Sequence, residues 1–197
     1  MTRVVHPIER ESYRILRDRA DLAHLPALTR AVVERVVHAS ADLDYVTDLV
    51  CDEAALAGGL AALRTGAPIV TDVWMVAAGI TRAGREIVCP VAEPVAGDLA
   101  RRSGLTRSAA AVRIALDRVG PGAVWVVGCA PTALRELLTL DAAPALVVGL
   151  PVGFVGAAES KAALRASGLP AVSNVGEKGG SAVAAAALNA LLYQEET

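Results

Sequence analysis

From Pro68 onward, short β-branched runs alternate with helix-like segments, and this alternation limits the fold more than any other feature of the sequence. The runs are "PIVTD", "EIVCPV", "AVWVVGC", "ALVVGLP" and "PAVSNV". They are followed in turn by "VWMVAAGI", by "VAGDLARRS" with "TRSAAAVRIALDRVG", by "PTALRELLTL", by "AAESKAALRASG" and by "SAVAAAALNALL". Strands that are apolar throughout are covered on both faces, and strands joined through helices run parallel. The expectation is an α/β, three-layer sandwich, flavodoxin-like, around a parallel five-stranded sheet. The first third reads as helices: "IERESYRILRDRA", then "PALTRAVVERVVHAS" opened by Pro26, then "DEAALAGGLAALRTG" stopped at Gly66. Residues 1–66 are thus expected as an N-terminal helical cap region on a parallel α/β core of residues 67–197. The whole chain, 1–197, is expected as a single domain, since its 197 residues suffice for one compact core.

Composition narrows the chemistry. Hydrophobic residues make up 54% of the chain and aromatic ones 3%, with a single Phe, so a flat ligand would lie between aliphatic groups and backbone. A net charge of −2 argues against nucleic acid and anionic membranes as partners, because both need a basic footprint. The basic residues are almost all Arg, a skew that GC-rich coding produces and that also supplies guanidinium forks for carboxylates. Cys51, Cys89 and Cys129 are scattered, with no CxxC pair and no His at ligand spacing, so no metal site is expected and a reducing cytoplasm is. "MTRVVHPIERES" has no signal-peptide core. The uncharged run 142–158 is broken by Pro144 and Pro151 and reads as strand, loop and helix start rather than a membrane span. The expectation is a soluble, cytoplasmic protein.

In open parallel sheets, ligands bind beyond the carboxyl ends of the strands. Those ends here are "TDVWM", "GCAPTAL", "GLPVGFVGAAES" and "NVGEKGGS". Three are glycine-rich and run into helix starts, which favour anions, although strand-to-helix loops are often glycine-rich for geometric reasons alone. Neither GxGxxG nor GxxxxGK[ST] is present, which leaves a nucleotide site poorly supported. GxSxG is absent too, so a serine triad finds no support.

One histidine stands out. In "RVVHAS" the helix turns about 100° per residue, and Leu28, Val32, Val33, Val36 and Val37 sweep out one apolar face. His38 lies nearly opposite that face, one turn after Arg35, so it faces solvent, a cleft or another subunit. The helix ends just beyond it, and its C-terminal dipole, with Asp42 and Asp44 nearby, would favour the imidazolium. A surface histidine and a proton donor both satisfy this pattern. Arg107 is also unusual: Thr106 reads as an N-cap, which puts the guanidinium in a first helical turn, where a cation opposes the macrodipole. Drift explains that placement, and so does a bound carboxylate.

Taken in order, "RVVHAS", "GAPIVTDVWMVAAGITR", "TRSAAAV", "APTAL", "PVGFVGAAESK" and "EKGGSAVAAAALNALL" resemble the precorrin-8X methylmutase family, also called precorrin isomerase. The likeness runs from about Ile8 to Leu192. It implies an isomerase of cobalamin biosynthesis that moves a methyl group from C-11 to C-12 of precorrin-8X, giving hydrogenobyrinate. It further implies no added cofactor and a homodimer with its sites at the subunit interface. Carried over by position, His38 matches the proton donor and acceptor. Ser12, Arg35 and Arg107 match substrate-contacting positions, and Gly179, Gly180 and Ser181 match the glycine-rich loop. Two residues depart from the pattern: Cys129 stands where family members usually have Asn, and Ala41 where many have Gly. The alternatives are a cobalt-precorrin-8 methylmutase giving cobyrinate, or a non-catalytic corrinoid carrier that holds the product and hands it on. A methyl shift within a conjugated ring suits the residues, since it needs a rigid pocket and one general acid rather than a metal or a nucleophile.

Overall fold

The computed structural model describes residues 6–81 and 83–194. Its sheet has six strands: β1 (Leu49–Cys51), β2 (Ile69–Thr71), β3 (Ile87–Val88), β4 (Val124–Val127), β5 (Leu146–Gly149) and β6 (Ala171–Asn174), in the order β1-β6-β5-β4-β2-β3. The five runs read from the sequence are the five mutually parallel strands. Numbered among themselves they stand in the flavodoxin order, with the reversal between β2 and β4. The expected count of five is corrected to six. The additional strand, β1, comes from the region read as helical and pairs antiparallel with the β6 edge, Leu49 opposite Asn174. Its three residues lie between two helices, too short a run to show a period of two.

Ten α-helices flank the sheet among the described residues: α1 (Pro7–Arg19), α2 (Ala27–Ser40), α3 (Tyr45–Asp48), α4 (Glu53–Arg64), α5 (Trp74–Gly79), α6 (Pro94–Ser103), α7 (Arg107–Val119), α8 (Pro131–Thr139), α9 (Ala157–Ala166) and α10 (Ser181–Leu192). Alternation along each strand feeds two cores. Ile69, Val126 and Val148 pack with Val36, Leu56 and Leu188 on the α2, α4 and α10 side. Val70, Trp125 and Val147 pack with Val112, Leu134 and Leu164 on the α7, α8 and α9 side. Fully burying one such aliphatic side chain contributes roughly 1.5–3 kcal/mol. The N-terminal helices therefore supply part of one face of the sandwich.

Helix α10 is the central element of that face. Ser181 and every residue from Val183 to Leu192 are buried. Its alanines let the neighbouring backbones come close: a Cβ on Gly128, just past β4, would lie 2.8 Å from the Ala184 Cβ, and one on Gly79 would lie 2.8 Å from that of Ala185. Against its outer side α2 runs antiparallel. Arg35 reaches Tyr193 at the end of α10, while Asp42, just past α2, meets Lys178 just before α10.

α2 stops where Ala41 takes a left-handed conformation (φ 55°, ψ 22°), its N–H donating to the Val37 carbonyl at 2.8 Å. A Cβ is strained in that conformation, which glycine takes freely. Ala41→Gly is expected to raise stability by about 1 kcal/mol, read as a higher urea midpoint at unchanged slope.

Candidate active site

Glu9, Ser12 and Tyr13 share one face of α1 by their helical spacing, and that face meets α2. Ser12 Oγ lies 2.7 Å from Nδ1 of His38. The Tyr13 ring stacks on the imidazole with centroids 5.0 Å apart and planes inclined by 19°. His38 is thereby half-buried, held at one nitrogen and along one face. Its position away from the apolar core matches the helical-wheel reading, and the cover over it comes from α1.

Arg35 ties three helices together. Its Nη1 donates to Glu9 Oε1 at 2.6 Å and to the Tyr13 hydroxyl at 3.3 Å. Its Nη2 donates to the Tyr193 hydroxyl at 2.9 Å, with the guanidinium 4.3 Å from the centre of the Tyr193 ring. Thr81 Oγ1 lies 2.8 Å from the same hydroxyl. Arg35 thus orients Tyr13, and through Tyr13 the imidazole. Asp42 and Asp44, read from the sequence as acids beside His38, bond instead to the Lys178 ammonium, Asp42 at 2.7 Å. That bond holds the Asp42 carboxyl below the ordinary carboxylate range.

The Lys178 contacts matter because Gly179 and Gly180 follow directly. Gly179 has φ 156° and Gly180 φ 126°, and Gly180 N–H donates to the Leu150 carbonyl at 2.9 Å. A Cβ on Gly179 would stand 2.3 Å from the Leu150 oxygen, whereas one on Gly180 would meet nothing within 4 Å. Ser181 is the buried first residue of α10. The antiparallel seating of α2 on α10, clasped by Lys178, puts this loop and the His38 end of α2 at the same end of the molecule. That end is the carboxyl edge of the sheet.

Arg107 is the first residue of α7, after Thr106, whose hydroxyl accepts the Ala109 N–H at 3.2 Å. It is exposed, with its guanidinium lying over Gly97. It stands at the same sheet edge but on the opposite helical layer, so the fold does not bring it into contact with His38.

Sequence reasoning missed Asp72. It follows β2 at the point where strand order reverses, is 3% exposed, and accepts N–H bonds from Gly128 (3.1 Å), Cys129 (2.8 Å) and Ala130 (2.7 Å). Burial pushes its carboxyl up while these amides oppose the shift. The signal was an Asp ending the apolar run "PIVTD". Asp72 grips the loop after β4 by its backbone, Cys129 contributing its amide and not its side chain. Burial and the Asp72 charge push the Cys129 thiol up. Glu9, Tyr13 and Tyr193 were also missed, since nothing in their local pattern marks them.

This is an α/β protein, a flavodoxin-like sandwich whose histidine–serine pair and glycine-lined helix entrance stand at the edge where open parallel sheets bind ligands. The family pattern described as precorrin-8X methylmutase matches residues 7–194. The chain belongs to the precorrin-8X methylmutase family, isomerases that carry out a methyl migration in cobalamin biosynthesis. It is 46% identical to the precorrin-8X methylmutase of Pseudomonas aeruginosa, covering 96% of this chain and 95% of that one. It is 43% identical to the cobalt-precorrin-8 methylmutase of Salmonella typhimurium, covering 94% and 93%. The crystal structure of precorrin-8X methylmutase from Thermus thermophilus superposes with a TM-score of 0.86 at 38% identity, covering 95% of each chain.

The loop geometry separates the two glycines. Gly179→Ala is expected to destabilise by about 3 kcal/mol, through the clash with Leu150 together with the backbone strain. Gly180→Ala should lose only about 1 kcal/mol, from strain alone. Urea denaturation of the two variants checks the order.

Proposed function

We propose that this chain converts precorrin-8X to hydrogenobyrinate by moving the methyl group from C-11 to C-12, with His38 as the general acid. The observation that carries this reading is the 2.7 Å contact between Ser12 Oγ and His38 Nδ1. With Nδ1 taken by Ser12, proton exchange with the macrocycle runs through Nε2. A serine hydroxyl both donates and accepts. It accepts from Nδ1–H while the imidazolium gives its Nε2 proton to a pyrrole nitrogen. It keeps accepting from the neutral Nδ1–H tautomer until the proton returns to Nε2. Protonation drains electron density from the conjugated system, the methyl group migrates, and recovery of the proton leaves the atom and electron count unchanged. No cofactor enters this balance.

The remaining assignments concern substrate binding. Arg35 acts through Tyr13, Gly179 and Ser181 offer backbone amides, Gly180 shapes the loop through its bond to Leu150, and Arg107 offers a guanidinium. We further infer a homodimer. Trp74 (56% exposed) and Met75 (70%) open α5 just past β2, Phe154 (95%) and Val155 (89%) lie on the loop after β5, and Ile8 beside the Ser12 face is 73% exposed. Exposed apolar side chains of this size support a second copy packing against them. Residence in the cytoplasm fits the three free cysteines, and no described helix is long and apolar enough to cross a membrane.

Conversion is read directly from the absorption change when precorrin-8X is supplied. The cobalt form is run beside it, because relatives of both names stand at similar identity. Binding without conversion of either form would make the chain a corrinoid carrier. His38→Asn is expected to fold and bind product but to lose turnover by about 10²-fold or more. Ser12→Ala should lower kcat about ten-fold with little change in KM, because it alters proton placement rather than substrate grip. Near-normal turnover in His38→Asn would remove the acid role.

A subunit-mixing test addresses assembly. His38→Ala protomers mixed with Gly180→Trp protomers are expected to regain part of the lost activity if each site draws on two chains. Light scattering that shows a monomer binding hydrogenobyrinate one to one would place the whole site within one chain.

A further inference from the structure

Lys161, one of only two lysines in the chain, lies on α9 and is fully buried. Among the described residues no carboxylate pairs with it. Its Nζ donates to Asn174 Oδ1 at 3.0 Å and to the Lys178 carbonyl. Asn174 Nδ2 donates to that same carbonyl at 2.9 Å and to the Val175 carbonyl at 3.0 Å. Both lone pairs of the Lys178 oxygen are therefore held from beneath. A trans peptide points its N–H opposite its C=O, so the Gly179 N–H faces away from Lys161. That N–H has no acceptor among the described residues, whereas the next one, on Gly180, is bonded to Leu150.

We propose that Lys161 is a positioning residue for the ligand: by holding the Lys178 carbonyl inward, it aims the Gly179 amide, together with the first amides of α10, at a carboxylate of the bound macrocycle. This deepens the function proposed above and rests on it.

A lysine contributes here something that Asn174 cannot, because it puts a positive charge beneath the amides. Burial pushes its amine down to about 8, with Arg165 on the same helix adding to the shift and Glu177 on the loop opposing it. Arg165 is itself bonded to the Asn174 carbonyl at 2.7 Å. From α8, which packs on α9, Glu136 is bonded to Arg113 and Arg135 lies against Gly156. An anion settling over the loop stabilises the ammonium and raises its proton affinity. The protonated form therefore binds the anion more tightly. Affinity is full below about pH 8 and declines as the pH rises through that value, with a proton taken up on binding near it.

The test is a titration of hydrogenobyrinate into the full chain from about pH 6.5 to 9.5, in two buffers of different ionisation enthalpy. Wild type is expected to weaken about ten-fold toward the alkaline end, with proton uptake near pH 8. Lys161→Met should bind about ten-fold more weakly at neutral pH and show no alkaline limb. Glu177→Gln is an exposed change that leaves Lys161 in place, and it should move the limb to lower pH. It decides the matter if Lys161→Met does not fold. In the ligand-free protein, the Lys178 carbonyl carbon resonance should titrate with the same midpoint. Affinity that stays flat across the range, or a limb that stays in place in Glu177→Gln, overturns the inference. A Lys178 carbonyl that does not titrate overturns the positioning contact itself. Absence of hydrogenobyrinate binding at every pH, with a titrating carbonyl, overturns the functional reading and upholds the clamp.

Discussion

The seating of α10 between the sheet and α2 sets where everything else stands. A helix buried on nearly every side can approach its neighbours only as closely as its side chains allow, and the run "AVAAAAL" keeps those side chains to methyl size where β4 and α5 come nearest. The glycines at 79 and 128 complete the fit from the other side. A larger residue at Ala184 or Ala185 would push α10 outward and carry α2 with it, because the two helices pack along their length. The distance between His38 and the glycine loop is thus a property of alanine packing far from any reacting atom.

The same seating explains why polar contacts gather where they do. α2 ends beside the start of α10, so the chain reversal after α2 lies next to the loop before α10. Asp42 and Asp44 on one side and Lys178 on the other close that junction. These groups are exposed and exchange readily with water, so their contribution lies in register more than in stability. At the other end of the pair, Arg35, Glu9, Tyr13, Tyr193 and Thr81 perform the corresponding task in a more enclosed setting. Between these two clasps His38 has little room to move.

Much of this was legible in the sequence, and the part that was not has a physical reason. The five parallel strands and their helices were readable because burial on both faces writes continuous apolar runs, and because Thr106, Gly66 and Pro26 punctuate the helices. The end of α2 beyond His38 was readable for the same kind of reason. β1 was not, since an edge strand of three residues takes its identity from β6 rather than from its own pattern. The partner acids of His38 were misassigned because proximity in sequence was taken for proximity in space, and the Lys178 ammonium, 136 residues from Asp42, holds them instead. Ser12 and His38 were named separately through the family resemblance. Their contact depends on how α1 crosses α2, which no local signal encodes. Asp72 and Lys161 stayed hidden because an Asp at a strand end and a Lys on a mixed helix both read as solvent-facing until the loops that bury them are placed.

A last consequence concerns how a chain of net charge −2 can recognise a substrate rich in carboxylates. Several of its cations are already neutralised in place: Arg35 by Glu9, Arg17 by Glu34, Lys178 by Asp42 and Asp44, Arg118 by Glu93. What remains at the carboxyl edge of the sheet is of a different kind. Backbone amides stand at the entrance to α10, Arg107 has no ion pair among the described residues, and Lys161 supplies a charge from below. Amides and a buried ammonium are only weakly hydrated and already oriented, so they bind an anion with little reorganisation. A field built from such groups is short-ranged and points one way. On the function proposed above, it suits an enzyme that holds one carboxylate-rimmed ring in a single orientation.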